Sequence, residues 1–192
     1  MSIGKVVMAA LLIVLLLGVI GGACTLSGYN RVVRMNEGVK SAWSQVENQL
    51  QRRYDLIPNL VETVKGYAKQ EKELFENIAA ARTKYFQPGG NPGEKIEAAN
   101  RMEGLLSRLL VLKETYPELK SNQNFMRLQD SLEGTENRVA VERKRYNDAV
   151  NLLNSYVQGF PGRLFAGWAG VQPAKYFETT TPEAKEVPKV KF

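Results

Sequence analysis

The sequence predicts an all-α protein in which an N-terminal single transmembrane helix is followed by an up-and-down four-helix bundle. A long apolar run near the N-terminus predicts the membrane helix. Beyond it, apolar residues recur three and four positions apart, and no stretch alternates apolar and polar residues as strands do. We therefore expect a membrane anchor at residues 1–28, the bundle at 29–170 and an extended tail at 171–192.

The predicted anchor has no polar or charged side chain from Val6 to Cys24. A helix of this length would span about 28 Å, close to the ~30 Å hydrocarbon core of a bilayer. The run is long for a cleaved leader, so we favour an uncleaved anchor. Residues inside the predicted span include Val6, Leu12, Leu16 and Ile20.

Two other interpretations of this segment stay open. It also fits a cleaved signal peptide, with Lys5 as the charged start and Gly21 to Ala23 as the small-residue end. Cleavage before Cys24 would leave a cysteine for lipidation, but that processing usually requires a branched aliphatic residue where Gly21 stands.

The charges around the span give a weak preference for its orientation. Lys5 and the terminal amine precede it, whereas Arg31, Arg34 and Lys40 follow it. Because cytoplasmic segments carry an excess of Lys and Arg, the body of the protein is expected in the cytoplasm and the N-terminus outside.

Four helices are predicted after the anchor, each with an apolar seam. Asp55 is expected to cap the second helix, with Pro58 in its first turn. The loop QPGGNPG at residues 87–93 separates the second helix from the third, and Pro117 ends the third. The four helices are expected at about Tyr29–Tyr54, Asp55–Phe86, Glu94–Tyr116 and Asn122–Gln158.

Three polar residues fall within the predicted seams: Glu71, Thr135 and Glu142. Buried carboxylates in a bundle can hold a metal or share a proton. The chain has no histidine and few candidate carboxylates, so we expect no metal and no cofactor. We instead expect Glu71 and Glu142 to pair with basic or amide groups of facing helices, or to lie at the solvent edge. The candidate basic partners are Arg82, Arg138 and Arg143.

Arg52, Arg53 and Trp168 are the candidate interaction residues. The two arginines lie at the proline-marked corner after the first bundle helix, where they would meet a partner or lipid headgroups. Trp168 lies in the aromatic stretch FPGRLFAGWAGV, residues 160–171. This stretch predicts either a membrane-interface contact, with Arg163 toward the headgroups, or a short helix that folds back to close the bundle end. We favour the second interpretation, because a single tryptophan among small residues is more often packed than lipid-bound.

Composition excludes several classes of function. With no histidine and one cysteine, the 192-residue chain has no Ser/His or Cys/His nucleophile pair, no histidine-ligated zinc and no internal disulfide. The net charge is +6, and glutamates interleave with the basic residues around Arg143, which disfavours nucleic-acid binding. The PGGNPG loop lacks the Gly-Lys-Ser/Thr ending of a phosphate-binding loop. The sequence therefore favours a non-enzymatic protein.

The anchor and the bundle together predict the partners. The lipid bilayer surrounds the span, and the helix faces of the bundle are expected to bind another membrane protein. Gly18 and Gly22 have the four-residue spacing of closely packed membrane helices. This spacing favours self-association and supports an alternative function, a homo-oligomeric scaffold that shapes membranes.

Three runs of residues carry a family resemblance: YNRVVRMNEGVKSAWSQVENQLQRRYDLIPNLVETVKGYA, LQDSLEGTENRVAVERKRYNDAVNLLNSYVQGFPGRLFAGW and AKYF. Together they resemble the LemA family of bacterial membrane-anchored proteins, over nearly the whole chain. The resemblance implies an N-terminal transmembrane helix, a four-helix bundle, and a short N-terminus outside with the bundle inside. It implies no catalytic residue.

Relatives in that family occur in magnetosome membranes and near membrane proteases. The resemblance therefore implies a scaffolding role or an accessory role to a membrane protease. One departure is visible, because many members carry a histidine after Gly-Tyr-Ala, where this chain has Lys69, Gln70 and Glu71. A metal-binding or pH-sensing role of that histidine does not carry over.

Overall fold

The computed structural model describes residues 3–178 of the chain. Within that range all regular structure is helical and no strand occurs, which confirms the predicted all-α class. Residues 179–192 of the predicted tail lie outside the described residues. The helices are α1 (Ile3–Tyr54), α2 (Ile57–Lys65), α3 (Lys72–Tyr85), α4 (Pro92–Thr115), α5 (Pro117–Ser121), α6 (Gln123–Gln158) and α7 (Gly162–Ala169).

Helix α1 joins the predicted anchor and the first bundle helix into one element of 52 residues. Its apolar part is long and hydrophobic enough to cross a bilayer. No proline lies between Thr25 and Asn30, and the single glycine there, Gly28, weakens a helix without breaking it. The boundary predicted at residue 28 therefore falls inside a continuous helix.

The described residues divide into two compact units. The first unit consists of residues 3–41 and 148–174, and the second of residues 42–147 and 175–178. The first contains the start of α1, the end of α6 and all of α7, whereas the second contains α2 to α5 and the remaining parts of α1 and α6.

In the first unit, α7 packs against α1. The ring of Phe165 lies so close to Gly28 that a β-carbon there would collide with it. The start of α7, at Gly162, packs as closely on the carbonyl oxygen of Tyr156 at the end of α6. The Arg31 guanidinium lies 4.6 Å from the centre of the Tyr156 ring. The aromatic stretch thus forms a short helix that folds back onto α1.

The second unit is an up-and-down bundle of four helical segments, each of which we call a leg. The first leg is α1 followed by α2, and the others are α3, α4 and α6. Glu47 of α1 pairs with Lys95 near the start of α4. Further along both helices Arg53 pairs with Glu103, so α1 and α4 run in the same direction. The largest fully buried side chains of the second unit are Leu50, Tyr54, Ile57, Leu60, Ile78, Met102, Leu106, Leu109, Leu119, Phe125 and Tyr146.

Helix α6 runs antiparallel to α1 in this unit. Trp43 meets Tyr146 edge to face, with 5.3 Å between ring centres. Ten residues later on α1, Arg53 pairs with Glu136, which lies ten residues earlier on α6. The equal and opposite steps show that the two helices pack side by side in opposite directions.

The proline-marked corner does not reverse the chain, which corrects the prediction. Leu56 joins α1 to α2 with φ −81° and ψ −22°, close to helical values, so α2 continues the first leg. Pro58 lies in the first turn of α2, where its missing N–H is tolerated. Asp55 does not cap α2: Leu56 is the residue before the helix, no side-chain hydrogen bond caps it, and Asp55 Oδ1 accepts a hydrogen bond from Gln51 at 2.9 Å. The predicted Asp55 cap is therefore wrong.

The reversal occurs instead at residues 66–71, between α2 and α3. Tyr67 accepts a hydrogen bond from Asn122 at 2.9 Å, just before α6 begins. Gln70 donates to the Tyr116 hydroxyl at 2.6 Å, just after α4 ends. This segment therefore lies at the end of the unit where α4 stops and α6 starts, and the single helix predicted over residues 55–86 is wrong.

The boundaries of α4 follow the prediction closely. Asn91 and Glu94 form a capping box, in which each side chain accepts a hydrogen bond from the other's backbone N–H. Pro92 is the first helical residue, two positions before the predicted start. Tyr116 leaves the helical region with φ −120°, as expected of a residue before proline.

Candidate interaction site

Arg53 lies inside the second unit, between two carboxylates. Its side chain is 4% exposed. The guanidinium donates to both oxygens of Glu103 at 2.7 and 3.2 Å, a two-point contact. It also donates to Glu136 Oε2 at 3.0 Å. The pairing joins α1, α4 and α6, and it leaves Arg53 no surface to offer a partner, which corrects its expected place at an exposed corner.

A second arginine borders this polar network. Arg143 Nη2 lies 3.7 Å from Glu103 Oε2, and its guanidinium lies 4.7 Å from the centre of the Phe177 ring. Partial burial raises the pKa of Glu136; the Arg53 charge opposes this rise, and the Glu103 carboxylate adds to it. Glu136 therefore holds a proton to higher pH than an ordinary glutamate does.

Arg52 faces outward, in contrast to its neighbour, and lines an open groove of about 540 Å³. Arg138 on α6 is also exposed at this groove. Guanidinium groups suit carboxylates and phosphates, because their planar donors match two oxygens at once. We call this surface the Arg52 groove. It is lined by Arg52, Leu56, Asp130, Ser131, Gly134, Thr135 and Arg138.

Each polar residue of the predicted seams has a hydrogen-bond partner, which is local in sequence for Thr135 and Glu142 only. The Tyr116 hydroxyl lies 3.4 Å from Glu71 Oε1, in the turn before α3. Glu142 accepts a hydrogen bond from Arg145 of the same helix at 2.7 Å. Thr135 donates to a carbonyl one turn earlier and lines the Arg52 groove. The structure thus brings Arg52 and Thr135 together and places Glu71 and Glu142 elsewhere.

No group of three or more His, Cys, Asp or Glu side chains within the described residues is placed to hold a metal ion. The expected arginine partners on facing helices are also not those observed. Glu142 pairs within α6, and Glu71 meets a tyrosine rather than an arginine. Arg53 joins α1 to α4 and α6 through Glu103 and Glu136, and Arg143 of α6 also lies near Glu103.

The predicted span residues and Trp168 are exposed. Leu12, Leu16 and Ile20 are 62%, 57% and 51% exposed, as a lipid-facing helix requires. The side chain of Val6 lies outside the described residues. Trp168 is 64% exposed, so Phe165 rather than Trp168 makes the packing contact expected in this stretch.

A comparison with known families decides what kind of protein this is. The sequence model of the LemA family matches residues 42–192, a range that includes every residue of the Arg52 groove. The chain belongs to the LemA family. It is therefore a membrane-associated LemA-type protein.

Individual relatives of this LemA-family chain are distant. Magnetosome proteins MamQ 2 and MamQ 1 of Paramagnetospirillum magneticum are each 27% identical to it over 202 residues, covering 92% of this chain and 74% of the relative. Protein LemA of Metamycoplasma hominis is 20% identical over 131 residues, covering 68% of this chain and 60% of the relative.

Sequence reasoning missed two asparagines of α6 that hold the segment after α7 in this LemA-family chain. In the second unit, the side-chain amide of Asn147 accepts a hydrogen bond from the backbone N–H of Phe177 at 2.8 Å and donates one to the Phe177 carbonyl oxygen at 3.1 Å. In the first unit, Asn154 makes the same pair of bonds with Ala174. The available signal was their spacing of seven residues, two turns apart on one helix face.

Proposed function

We propose that the protein is a membrane-anchored, non-enzymatic interaction module that binds a segment of another membrane protein in the Arg52 groove. One observation carries the proposal: a single helix, α1, contains both the apolar segment and Arg52. A groove attached to the bilayer in this way meets other membrane proteins at a high effective concentration.

The chemistry of the groove indicates its ligand. Arg52 and Arg138 are exposed, and only one carboxylate, Asp130, lies among the lining residues. Leu56 adds a half-buried apolar surface. An acidic segment with an apolar side chain matches this combination, because each guanidinium can bind a carboxylate through two hydrogen bonds.

We also propose that the apolar segment remains as an uncleaved anchor, with the N-terminus outside and the body in the cytoplasm. Exposed Arg31 and Arg34 follow the segment within the same helix. Positive charges flanking a span are retained on the cytoplasmic side.

Site-specific crosslinking tests the binding proposal. A photoreactive residue replaces Ser131, which lines the groove, in the full-length chain expressed in bacterial membranes. Ser107, an exposed serine of α4, provides the matched control position. We expect a discrete adduct with one membrane protein from position 131 alone. The adduct should disappear when Arg52→Glu and Arg138→Glu reverse the charge of the groove.

Adducts of equal intensity from both positions, or an adduct that survives the charge reversal, would contradict the groove as the binding surface. If mass spectrometry identifies the crosslinked protein as a membrane protease, the accessory role implied by the family resemblance is supported. If it identifies a second copy of this chain, self-association replaces binding of another protein.

A homo-oligomeric membrane-shaping scaffold is the second candidate function. It is favoured by Gly18 and Gly22, whose positions have no atom of another element within 4 Å and leave room for a neighbouring helix. The magnetosome names of the MamQ relatives are compatible with such a role. Light scattering in mild detergent tests it: Gly18→Leu with Gly22→Leu should reduce the molar mass to that of a monomer, and a wild-type monomer would exclude it.

A further inference from the structure

The α7 helix carries apolar side chains on two opposite faces, of which one is packed. The packed face consists of Gly162, Phe165, Ala166 and Ala169. On the other face Leu164 and Trp168 are four residues apart and are 51% and 64% exposed. Phe160, which precedes the helix, is 88% exposed. A short segment that exposes large apolar side chains in this way is typical of a surface that meets lipid or protein.

The position of α7 along α1 indicates what covers this face. Phe165 packs on Gly28, four residues after Cys24, where the apolar run ends. Four residues of helix rise about 6 Å. The headgroup layer on each side of the hydrocarbon core is about 5–8 Å thick. With the apolar run across the bilayer, Phe165 therefore lies at the depth of the lipid headgroups, and α7 lies there with it.

The charges in this region suit the same environment. No Asp or Glu occurs from Thr25 to Asn36 or from Tyr156 to Phe177. Arg31, Arg34 and Arg163 are exposed in these stretches. Basic side chains near the membrane surface are attracted to anionic lipids, and tryptophan is enriched at the membrane–water interface.

We propose that α7 is an interfacial membrane helix. Leu164 and Trp168 of this helix enter the boundary between headgroups and acyl chains of the bilayer that holds the apolar segment. Lipid is the occupant because the uncovered face lies at headgroup depth on the chain's own anchor and is bordered by basic residues. The first unit thereby gains a second attachment to the membrane. The inference rests on the proposed retention of the anchor.

Fluorescence quenching by lipids tests the proposal on the full-length chain in nanodiscs. The chain has two tryptophans, and Trp43 is 7% exposed inside the second unit. The nanodiscs contain phosphatidylcholine brominated either near the headgroup end or near the end of the acyl chains. We expect the shallow bromines to quench the wild-type protein strongly and the deep bromines less. Trp168→Phe, an exposed conservative change, should lose most of the shallow quenching.

Other outcomes overturn the proposal. If Trp168→Phe and wild type are quenched equally by the shallow bromines, Trp168 does not contact lipid. If the Trp168 emission responds to aqueous iodide alone, the face lies in water. Protection from both quenchers would mean that protein covers it, either a second copy or a partner.

A separate measurement distinguishes failure of the anchor from failure of this inference. The intact mass of the chain purified from native membranes shows whether the apolar segment has been cleaved. A chain that retains this segment but shows no lipid contact at Trp168 keeps its anchor and refutes the interfacial role of α7.

Discussion

Arg52 and Arg53 are neighbours in the chain with opposite environments. Arg53 is buried between Glu103 and Glu136, whereas Arg52 is exposed. We expect Arg53→Ala to lower the free energy of unfolding by about 2–3 kcal/mol, because two adjacent carboxylates lose their cation. The loss should be smaller than for a fully buried pair, since the Glu136 side chain is 49% exposed.

Arg52→Ala is the matched control and should change the free energy of unfolding by less than about 0.5 kcal/mol. Thermal unfolding of the full chain in mild detergent, followed by circular dichroism, compares the two variants. Equal decreases in Tm would contradict the structural role of Arg53.

The raised pKa of Glu136 makes stability depend on pH in a defined direction. A carboxyl with a raised folded-state pKa adds stability below its unfolded pKa and loses this contribution as pH rises through the folded pKa. For Glu136 the contribution is present below its ordinary pKa of 4.5 and declines above it. The groups that surround it in the network are Arg53, Glu103 and Arg143.

The Glu136→Gln variant has no ionisable group at this position and lacks this pH dependence. Its Tm minus that of the wild type should therefore rise as the pH increases from about 4 to 7. Glu133→Gln removes the same charge at an exposed position of α6 and serves as the control. A difference that stays constant with pH, or that the control reproduces, would exclude Glu136 as the cause.

At the scale of elements, α7 depends on one close contact with α1. Gly28→Ala places a β-carbon against the Phe165 ring, which must leave its site, so we expect a lower Tm and faster hydrogen exchange in α7. Gly38→Ala in the same helix has no neighbouring atom within 4 Å. It should raise stability by up to about 1 kcal/mol through its higher helix propensity.

A double variant tests whether the clash is the cause. When Phe165→Ala removes the ring, adding Gly28→Ala should cost little, so the two changes should not add. If the Tm changes of Gly28→Ala and Phe165→Ala simply add, or if Gly28→Ala and Gly38→Ala change the Tm equally, the contact is refuted.

The turns show how much of the fold the sequence could predict. Two prolines and three glycines predict the loop at residues 87–93, and the structure confirms it except that Pro92 and Gly93 already belong to α4. The reversal at 66–71 has one glycine among residues common in helices, and a helical seam continues through it, so it was missed. Pro58 predicts a corner, but the first turn of a helix accepts proline with little change of direction.

The candidate site also has a part that the sequence could predict and a part that it could not. The burial of Arg53 was predictable, because it follows Leu50 by three positions and Val46 by seven on the core face of α1. The Arg52 groove was not, because Arg52 and Arg138 are distant in sequence and meet only through the antiparallel packing of α1 and α6.

At the scale of the whole molecule, the side of the membrane decides where the partner lies. We expect a cytoplasmic reporter fused after Phe192 to be active and an export-dependent reporter to be inactive, because the charges after the span exceed those before it. The opposite result would overturn the proposed orientation and would direct attention to processing at Cys24.

The contact between Phe165 and Gly28 also governs how a water-soluble form of the protein can be made. A chain that begins at Thr25 loses the apolar run but keeps Gly28. A chain that starts only a few residues later would lack Gly28, and the Phe165 ring would lose the surface that it packs against. The ring would then join Phe160 and Trp168 in a larger exposed apolar patch, and such patches promote aggregation. A soluble form is therefore expected to stay dispersed when it starts at Thr25 and carries a polar residue in place of Trp168.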